Sequence, residues 1–154
     1  MLVVRSPRSD ARRLLRRVAR KDSQDGLDGA VRRKRRRPYA YTIGLHDWDV
    51  PELLITGVSP HRALRLLDMG ARKLVGGEVL TPGQQVSVPG GPLVEIVEVG
   101  HPDAHMGWAV AFGGPEIEAL QLVWADGRGR WPWSADFADG RATQPVLGMR
   151  SVRR

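Results

Sequence analysis

The net charge of the chain changes sign at Pro38, and this change constrains the fold more than any other feature. Residues 1–37 contain 14 Lys and Arg and 4 Asp, a net charge of +10, whereas residues 38–154 contain 10 basic and 13 acidic residues, a net charge of −3. A dense block of like charges repels itself and remains solvated. The sequence therefore predicts a basic arm over 1–37, disordered or weakly helical, and a single folded domain over 38–154.

The arm ends in six consecutive cations, which are candidates for binding nucleic acid: Arg32, Arg33, Lys34, Arg35, Arg36 and Arg37. Such a run can neutralise phosphates and release their counterions, which gives binding that weakens with salt. No aromatic residue lies within the run to stack on bases, and no recognition motif accompanies it. Any nucleic-acid binding is therefore expected to be non-specific. The alternative interpretation is a solvated tail without a partner.

The composition excludes several kinds of site and location. The sequence contains no cysteine, which excludes disulfides, thiolate metal sites and a cysteine nucleophile. No apolar run approaches the roughly 18–20 residues that cross a bilayer, and the N-terminus lacks the apolar segment of a secretory signal. We therefore expect a soluble, cytoplasmic protein that has no membrane among its partners.

The domain part contains both strand-like and helix-like segments. Runs of apolar, aromatic and β-branched residues predict strands over 39–45, 52–58 and 117–124, and a hairpin over 84–99. Ser59 and Pro60 are a typical helix start, and Gly76 and Gly77 a typical helix end, so a helix is expected between them. A second, shorter helix is expected over 101–112.

The order of these segments indicates the fold class. Strands outnumber helices and occur in runs rather than in strict alternation with helices, which favours an α+β fold. We expect an antiparallel or mixed sheet with two or so helices packed on it, preceded by the basic arm. Antiparallel pairing of the strand at 39–45 with the strand at 117–124 would bring together the polar segments that follow them.

Two blocks of the domain carry a specific sequence pattern. The first block is PYAYTIGL at 38–45, followed by PEL at 51–53 and by Gly57. The second is ALQLVWAD at 119–126, followed by Gly129, by WPW at 131–133 and by QPVLG at 144–148. Together they resemble a bacterial family catalogued as domain of unknown function 4262, over about residues 38–148. The resemblance implies a bacterial domain of its own kind, and it implies no activity, cofactor or catalytic residue.

Ionisable and aromatic side chains are densest in and around these two blocks. The candidate ligand-binding residues are Tyr41, His46, Glu52, Asp126, Trp131 and Trp133. An aromatic ring supplies contact area and a polar group supplies orientation, which is what a small-molecule site needs. The alternative interpretation is structural, with polar loops between strands, a turn at Asp126 and tryptophans that fill the core.

Neither a metal nor a cofactor is expected. His101 and His105 have the spacing that puts two ligands on one helix face, but the segment between them lacks the glutamate of the zinc-protease motif. The chain offers only four histidines and no cysteine to complete such a site. The sequence also contains neither a P-loop nor a GxGxxG motif.

Three classes of function remain open at this point. The first, which we favour, is a module that binds a small ligand or a protein. The second is a small hydrolase or transferase that uses His46, Glu52 and Asp126 for acid–base chemistry. The third is a protein that associates with nucleic acid through the arm. A pocket that joins His46 or Glu52 to Asp126 would favour the enzyme.

Overall fold

The computed structural model describes residues 2–5 and 39–151, and the sheet within them is mixed. The strands are β1 (Leu2–Arg5), β2 (Tyr39–Ile43), β3 (Glu52–Thr56), β4 (Gln85–Ser87), β5 (Leu93–Glu98) and β6 (Ala119–Trp124). The helices are α1 (Pro60–Val75), α2 (Pro102–His105) and α3 (Gly107–Gly113), with 3-10 turns at Leu45–Trp48 and Phe137–Gly140. The predicted α+β class is confirmed. The six-cation run lies outside the described residues, and β1 was not predicted.

The strand order is β1-β2-β3-β6-β5-β4, with parallel pairing in β1–β2 and β3–β6 and antiparallel pairing elsewhere. The antiparallel pairing of 39–45 with 117–124 that would join the two polar segments does not occur, because β3 lies between these strands. Every residue of β3 is buried, as a strand covered on both faces requires. A short connection makes β2 its antiparallel neighbour, while α1 and the β4–β5 hairpin carry the chain across to β6.

Helix α1 covers one face of the sheet. Its start is as predicted, since the Ser59 hydroxyl accepts the N–H of Arg62 at 3.4 Å and Pro60 occupies the first turn. Its buried residues are Ala63, Leu66, Leu67, Gly70, Ala71 and Leu74. A Cβ at Gly70 would lie 2.7 Å from the Leu53 side chain. The absence of a side chain there therefore lets the helix lie close to β3.

A smaller apolar cluster on the other face joins β2 and β3 to the two short helices. Met106 and Ala109 pack there with Tyr41, Ile43 and Leu54. The single helix expected over 101–112 is instead two helices, because Met106 between them has a non-helical backbone and a completely buried side chain. The hydroxyl of Tyr41 accepts the N–H of Trp108 at 3.3 Å, which attaches α3 to the sheet.

The segment after residue 142 crosses this second face and is held by buried side chains. The Gln144 amide accepts the N–H of Trp124 at 2.9 Å and donates to its carbonyl at 2.8 Å, as a neighbouring strand would. Gln121, buried in the middle of β6, donates to the carbonyl of Pro145 and accepts the N–H of Leu147. This segment is thus an integral part of the sheet's cover.

The predicted hairpin over 84–99 is confirmed as β4 and β5, which pair antiparallel. Within the described residues, none of the helices has the length and apolar character that crossing a membrane requires.

Candidate functional site

Glu52, the first residue of β3, has a fully buried carboxylate that is surrounded by donors of the β2–β3 connection. Its Oε1 accepts the backbone N–H of Gly44 at 2.8 Å and that of His46 at 3.2 Å, and its Oε2 accepts the Thr42 hydroxyl. The same Oε1 lies 2.8 Å from Nδ1 of the His46 ring. Because a carboxylate can only accept, Nδ1 donates in this contact and the neutral ring keeps its lone pair on Nε2.

His46 is the partly exposed member of this pair. Its side chain is 21% exposed, and its Nε2 lies 3.7 Å from Oδ1 of Asp47. Gly113, at the end of α3, packs against the ring so closely that a Cβ there would lie 2.9 Å from the His46 Cγ and Nδ1 atoms. A histidine oriented in this way by a buried carboxylate can accept or deliver a proton at Nε2.

Asp126 begins the loop that follows β6, and both of its carboxylate oxygens are used within that loop. Oδ1 accepts the N–H groups of Arg128 and Arg130, each at 2.9 Å. Oδ2 accepts the N–H of Ala138 and Nε of Arg130, each at 2.8 Å. These four hydrogen bonds match the acceptor capacity of a carboxylate. Asp126 therefore organises the loop over residues 126–139.

The same contacts lower the pKa of the Asp126 carboxyl group. Burial raises the pKa of this carboxyl group, but the N–H groups of Arg130, Ala138 and Arg128 and the Arg130 side chain outweigh burial. The pKa of Asp126 therefore lies below its ordinary value. A lowered pKa in the folded state means that the carboxylate stabilises the fold above the unfolded-state pKa, and that this contribution disappears as the pH falls through the folded-state pKa.

We predict a pH-dependent effect of Asp126→Asn on stability. At pH 7 the variant should unfold at a lower urea concentration than the unmodified chain. The difference between the two urea midpoints should become smaller as the pH falls below about 4, the ordinary pKa of aspartate. Urea midpoints at pH 7 and pH 3 measure both effects. Asp136→Asn is the control, because the Asp136 side chain is 68% exposed and reaches Arg130 only at 3.5 Å. A difference in urea midpoint that stays constant with pH would contradict this role of Asp126.

Trp131 and Trp133 stack on each other, with ring centroids 5.3 Å apart and planes inclined by 10°. The guanidinium of Arg150 lies 3.9 Å from the centroid of the Trp133 ring, and its Nε donates to the buried Glu95 carboxylate at 2.9 Å. A hollow of about 310 Å³ beside them is lined by residues of the loop and of the following segment 140–144, and by neither tryptophan. The stack therefore joins the loop to the C-terminal segment and to β5.

The candidate residues of the two sequence blocks do not come together in the structure. Glu52 is paired in register with Ala119, the first residue of β6, whereas Asp126 lies two residues beyond the last residue of that parallel strand. At about 3.3 Å per strand residue, the two carboxylates lie roughly 20 Å apart, at opposite ends of the sheet. His46 lies with Glu52, and Trp131 and Trp133 lie on the Asp126 loop. Tyr41 is buried beneath α3.

An open groove of about 750 Å³ lies between the first half of α1, the β4–β5 turn and the beginning of the Asp126 loop. Its lining residues are Arg62, Arg65, Leu66, Met69, Val88, Pro89, Gly90, Gly91, Pro92, Leu93, Ala125, Asp126, Gly127 and Gly129. Small-molecule sites usually occupy about 300–1,000 Å³ and combine apolar walls with a few polar groups. The groove has this size and this composition.

The sequence prediction did not select Arg62 and Arg65 as site residues. For Arg62 a signal existed, since no acidic residue lies three or four positions away on the helix to pair with it. Arg65 has Asp68 three positions further on, but Asp68 pairs with Nε of Arg72 at 2.9 and 3.0 Å instead. Only the structure could reveal that Arg65 is left without a partner in the described residues.

Among the described residues, no group of three or more His, Cys, Asp or Glu side chains could hold a metal ion. His101 precedes α2 and has a non-helical backbone, whereas His105 is the last residue of the helix, so the two histidines do not share a helix face.

Comparison with known families identifies the family to which the chain is similar. A model of the family described as "Domain of unknown function (DUF4262)" matches residues 27–138. The family suggested by the two sequence blocks is therefore confirmed, although the match begins within the predicted arm and ends before Gln144. It includes the six-cation run. Neither the curated proteins nor the solved structures contain a match to the chain.

Proposed function

The chain belongs to the DUF4262 family, and from the geometry of its described residues we propose that the domain binds a small organic ligand in the groove between α1 and the β4–β5 turn. The observation that carries this proposal is the groove itself, with a volume of about 750 Å³ and contributions from three separate segments of the chain. Apolar side chains such as Leu66, Met69 and Leu93 would supply contact area, and the arginines of α1 would supply orientation.

The rigidity of the surroundings supports the same proposal. Leu66 is anchored in the main core, and the loop wall at Asp126 is held by its four hydrogen bonds. A site whose walls are fixed before binding loses little conformational entropy when the ligand enters. The groove therefore supports a ligand-binding function better than Glu52 and Asp126 support an enzymatic one, because these two carboxylates lie apart.

A fluorescence titration with the neutral probe N-phenyl-1-naphthylamine tests the proposal. We expect the full-length chain to bind the probe, and we expect Met69→Trp to weaken this binding at least about tenfold by filling the groove. His61→Trp is the matched control, because it adds the same ring at an exposed position of α1 outside the groove lining. Equal probe affinity in the two variants would contradict the proposal.

The His46–Glu52 pair favours a second candidate function, proton transfer in a hydrolase or transferase reaction. The observation is specific: the 2.8 Å contact fixes Nδ1 and leaves the Nε2 lone pair for a substrate. Asp126 has no role in this candidate function, because both of its carboxylate oxygens accept hydrogen bonds within the loop. Long-range ¹⁵N–¹H correlation spectra should show the Nδ1-protonated tautomer of neutral His46. The opposite tautomer would contradict this candidate.

The third candidate, non-specific binding of nucleic acid through Arg32–Arg37, concerns residues outside the described part of the chain and stays a prediction from the sequence.

A further inference from the structure

We propose that the ligand of the α1 groove is an organic oxyanion, a molecule that carries a carboxylate, phosphate or sulfonate group on an apolar or aromatic body. This inference rests on the proposed function and specifies the chemistry of the ligand. It is carried by the state of the two arginines that line the groove.

Arg62 and Arg65 are the cations of the groove lining, and within the described residues no carboxylate forms an ion pair with either of them. Five of the Lys and Arg side chains that the structure describes form ion pairs, namely Arg72, Lys73, Arg128, Arg130 and Arg150. Within the described residues neither Arg62 nor Arg65 forms one, and of the same side chains only Arg141 shares this state. Two unpaired guanidinium groups therefore line one groove of a domain whose overall charge is negative.

The carboxylate that lines the groove does not cancel this charge. Asp126 accepts four hydrogen bonds within its own loop, two of them from Arg130. Its negative charge is therefore already balanced on the side of the loop. A ligand in the groove meets the two uncompensated arginines as the dominant charge.

Arg62 is also oriented in advance. Its guanidinium lies 5.2 Å from the centroid of the Trp124 ring, as in a cation–π contact. That ring is fixed in turn, because its Nε1 donates to the carbonyl of Thr56 at 2.9 Å and it packs against Phe137. Arg65 lies three residues further along the same helix, and side chains at this spacing are neighbours. Two adjacent planar guanidinium forks match the oxygen atoms of an oxyanion.

The remainder of the lining defines the rest of the ligand. Leu66, Met69, Val88 and Leu93 supply apolar surface, and the turn between β4 and β5 supplies prolines and glycines. A free inorganic anion would leave this surface in contact with water. The combination therefore selects an anionic group attached to an apolar or aromatic body.

Two probes with the same aromatic body test this inference. The anionic 8-anilinonaphthalene-1-sulfonate and the neutral N-phenyl-1-naphthylamine differ in the sulfonate group, and each is titrated against the full-length chain. The doubly substituted Arg62→Gln, Arg65→Gln chain should bind the anionic probe at least about tenfold more weakly, with the neutral probe changed less than about twofold. Arg141→Gln is the control, because it removes an exposed, unpaired charge outside the groove lining.

Each outcome decides a different point. A loss specific to the anionic probe in the double variant, absent in Arg141→Gln, supports an oxyanion site. If Met69→Trp abolishes binding of the neutral probe but the double variant leaves the anionic probe unchanged, the groove binds ligands and the oxyanion inference is overturned. If binding of neither probe responds to Met69→Trp, the proposed function fails together with the inference.

Discussion

Replacing Glu52 by Ala is expected to lower the free energy of unfolding by about 3–5 kcal/mol, the usual cost of removing one partner from a buried charged network. The side chain is completely buried, and its loss leaves the N–H groups of Gly44 and His46 and the Thr42 hydroxyl without their acceptor. Urea denaturation monitored by tryptophan fluorescence measures the change.

Glu116→Ala is the control for this substitution. Glu116 is an exposed carboxylate, and removal of such a group usually changes stability by less than about 0.5 kcal/mol. If Glu52→Ala and Glu116→Ala had the same effect, the donors around Glu52 would have other acceptors and the network described for the β2–β3 connection would be wrong.

Gly148→Ala is expected to destabilise the chain by about 3 kcal/mol or more, because overpacking against a backbone that cannot move is among the costlier substitutions. A Cβ at this position would overlap with the carbonyl oxygen of Glu98 in β5. Since Glu98 forms a bridge with Met149, the clash would force the C-terminal segment away from the sheet. Urea denaturation measures the loss of stability.

Gly100→Ala is the matched control for Gly148→Ala. A Cβ at Gly100 would have no neighbour within 4 Å, so the same change of residue should alter stability little. Wild-type stability of Gly148→Ala would mean that the C-terminal segment does not pack against β5 as described.

The features that the sequence predicted well are those set by neighbouring residues. The start of α1 at Ser59 and Pro60 depends on local capping, and the β4–β5 hairpin depends on a turn between two adjacent strands. The His46–Glu52 contact is local as well, because the two residues lie six positions apart in one short connection. The candidate list therefore contained both members of this pair.

The features that the sequence could not reveal depend on distant residues. The parallel pairing of β3 with β6 joins segments about 65 residues apart, and the same apolar patterns would also have allowed β2 to pair with β6. The expectation that Glu52 meets Asp126 failed for this reason. The groove combines three segments that are unremarkable one by one: a polar helix face, a glycine-rich turn and a loop start.

One overlooked signal was available for the C-terminal segment. Gln121 is a polar residue within the apolar run of β6, and a buried amide needs partners. The presence of Gln121 in this strand therefore indicates that a further segment packs on that face of the sheet. The sequence does not identify that segment, which the structure shows to include Pro145 and Leu147.

Amide chemical-shift mapping with N-phenyl-1-naphthylamine tests most directly whether the groove is the ligand site. We expect saturable shift changes concentrated on the glycines of the groove walls: Gly90, Gly91, Gly127 and Gly129. These amides belong to two separate segments, so a common titration curve would place the probe between them. Saturable changes centred instead on His46 or on Trp131 and Trp133, with the groove glycines unaffected, would show that the probe binds outside the groove and would overturn the proposed function.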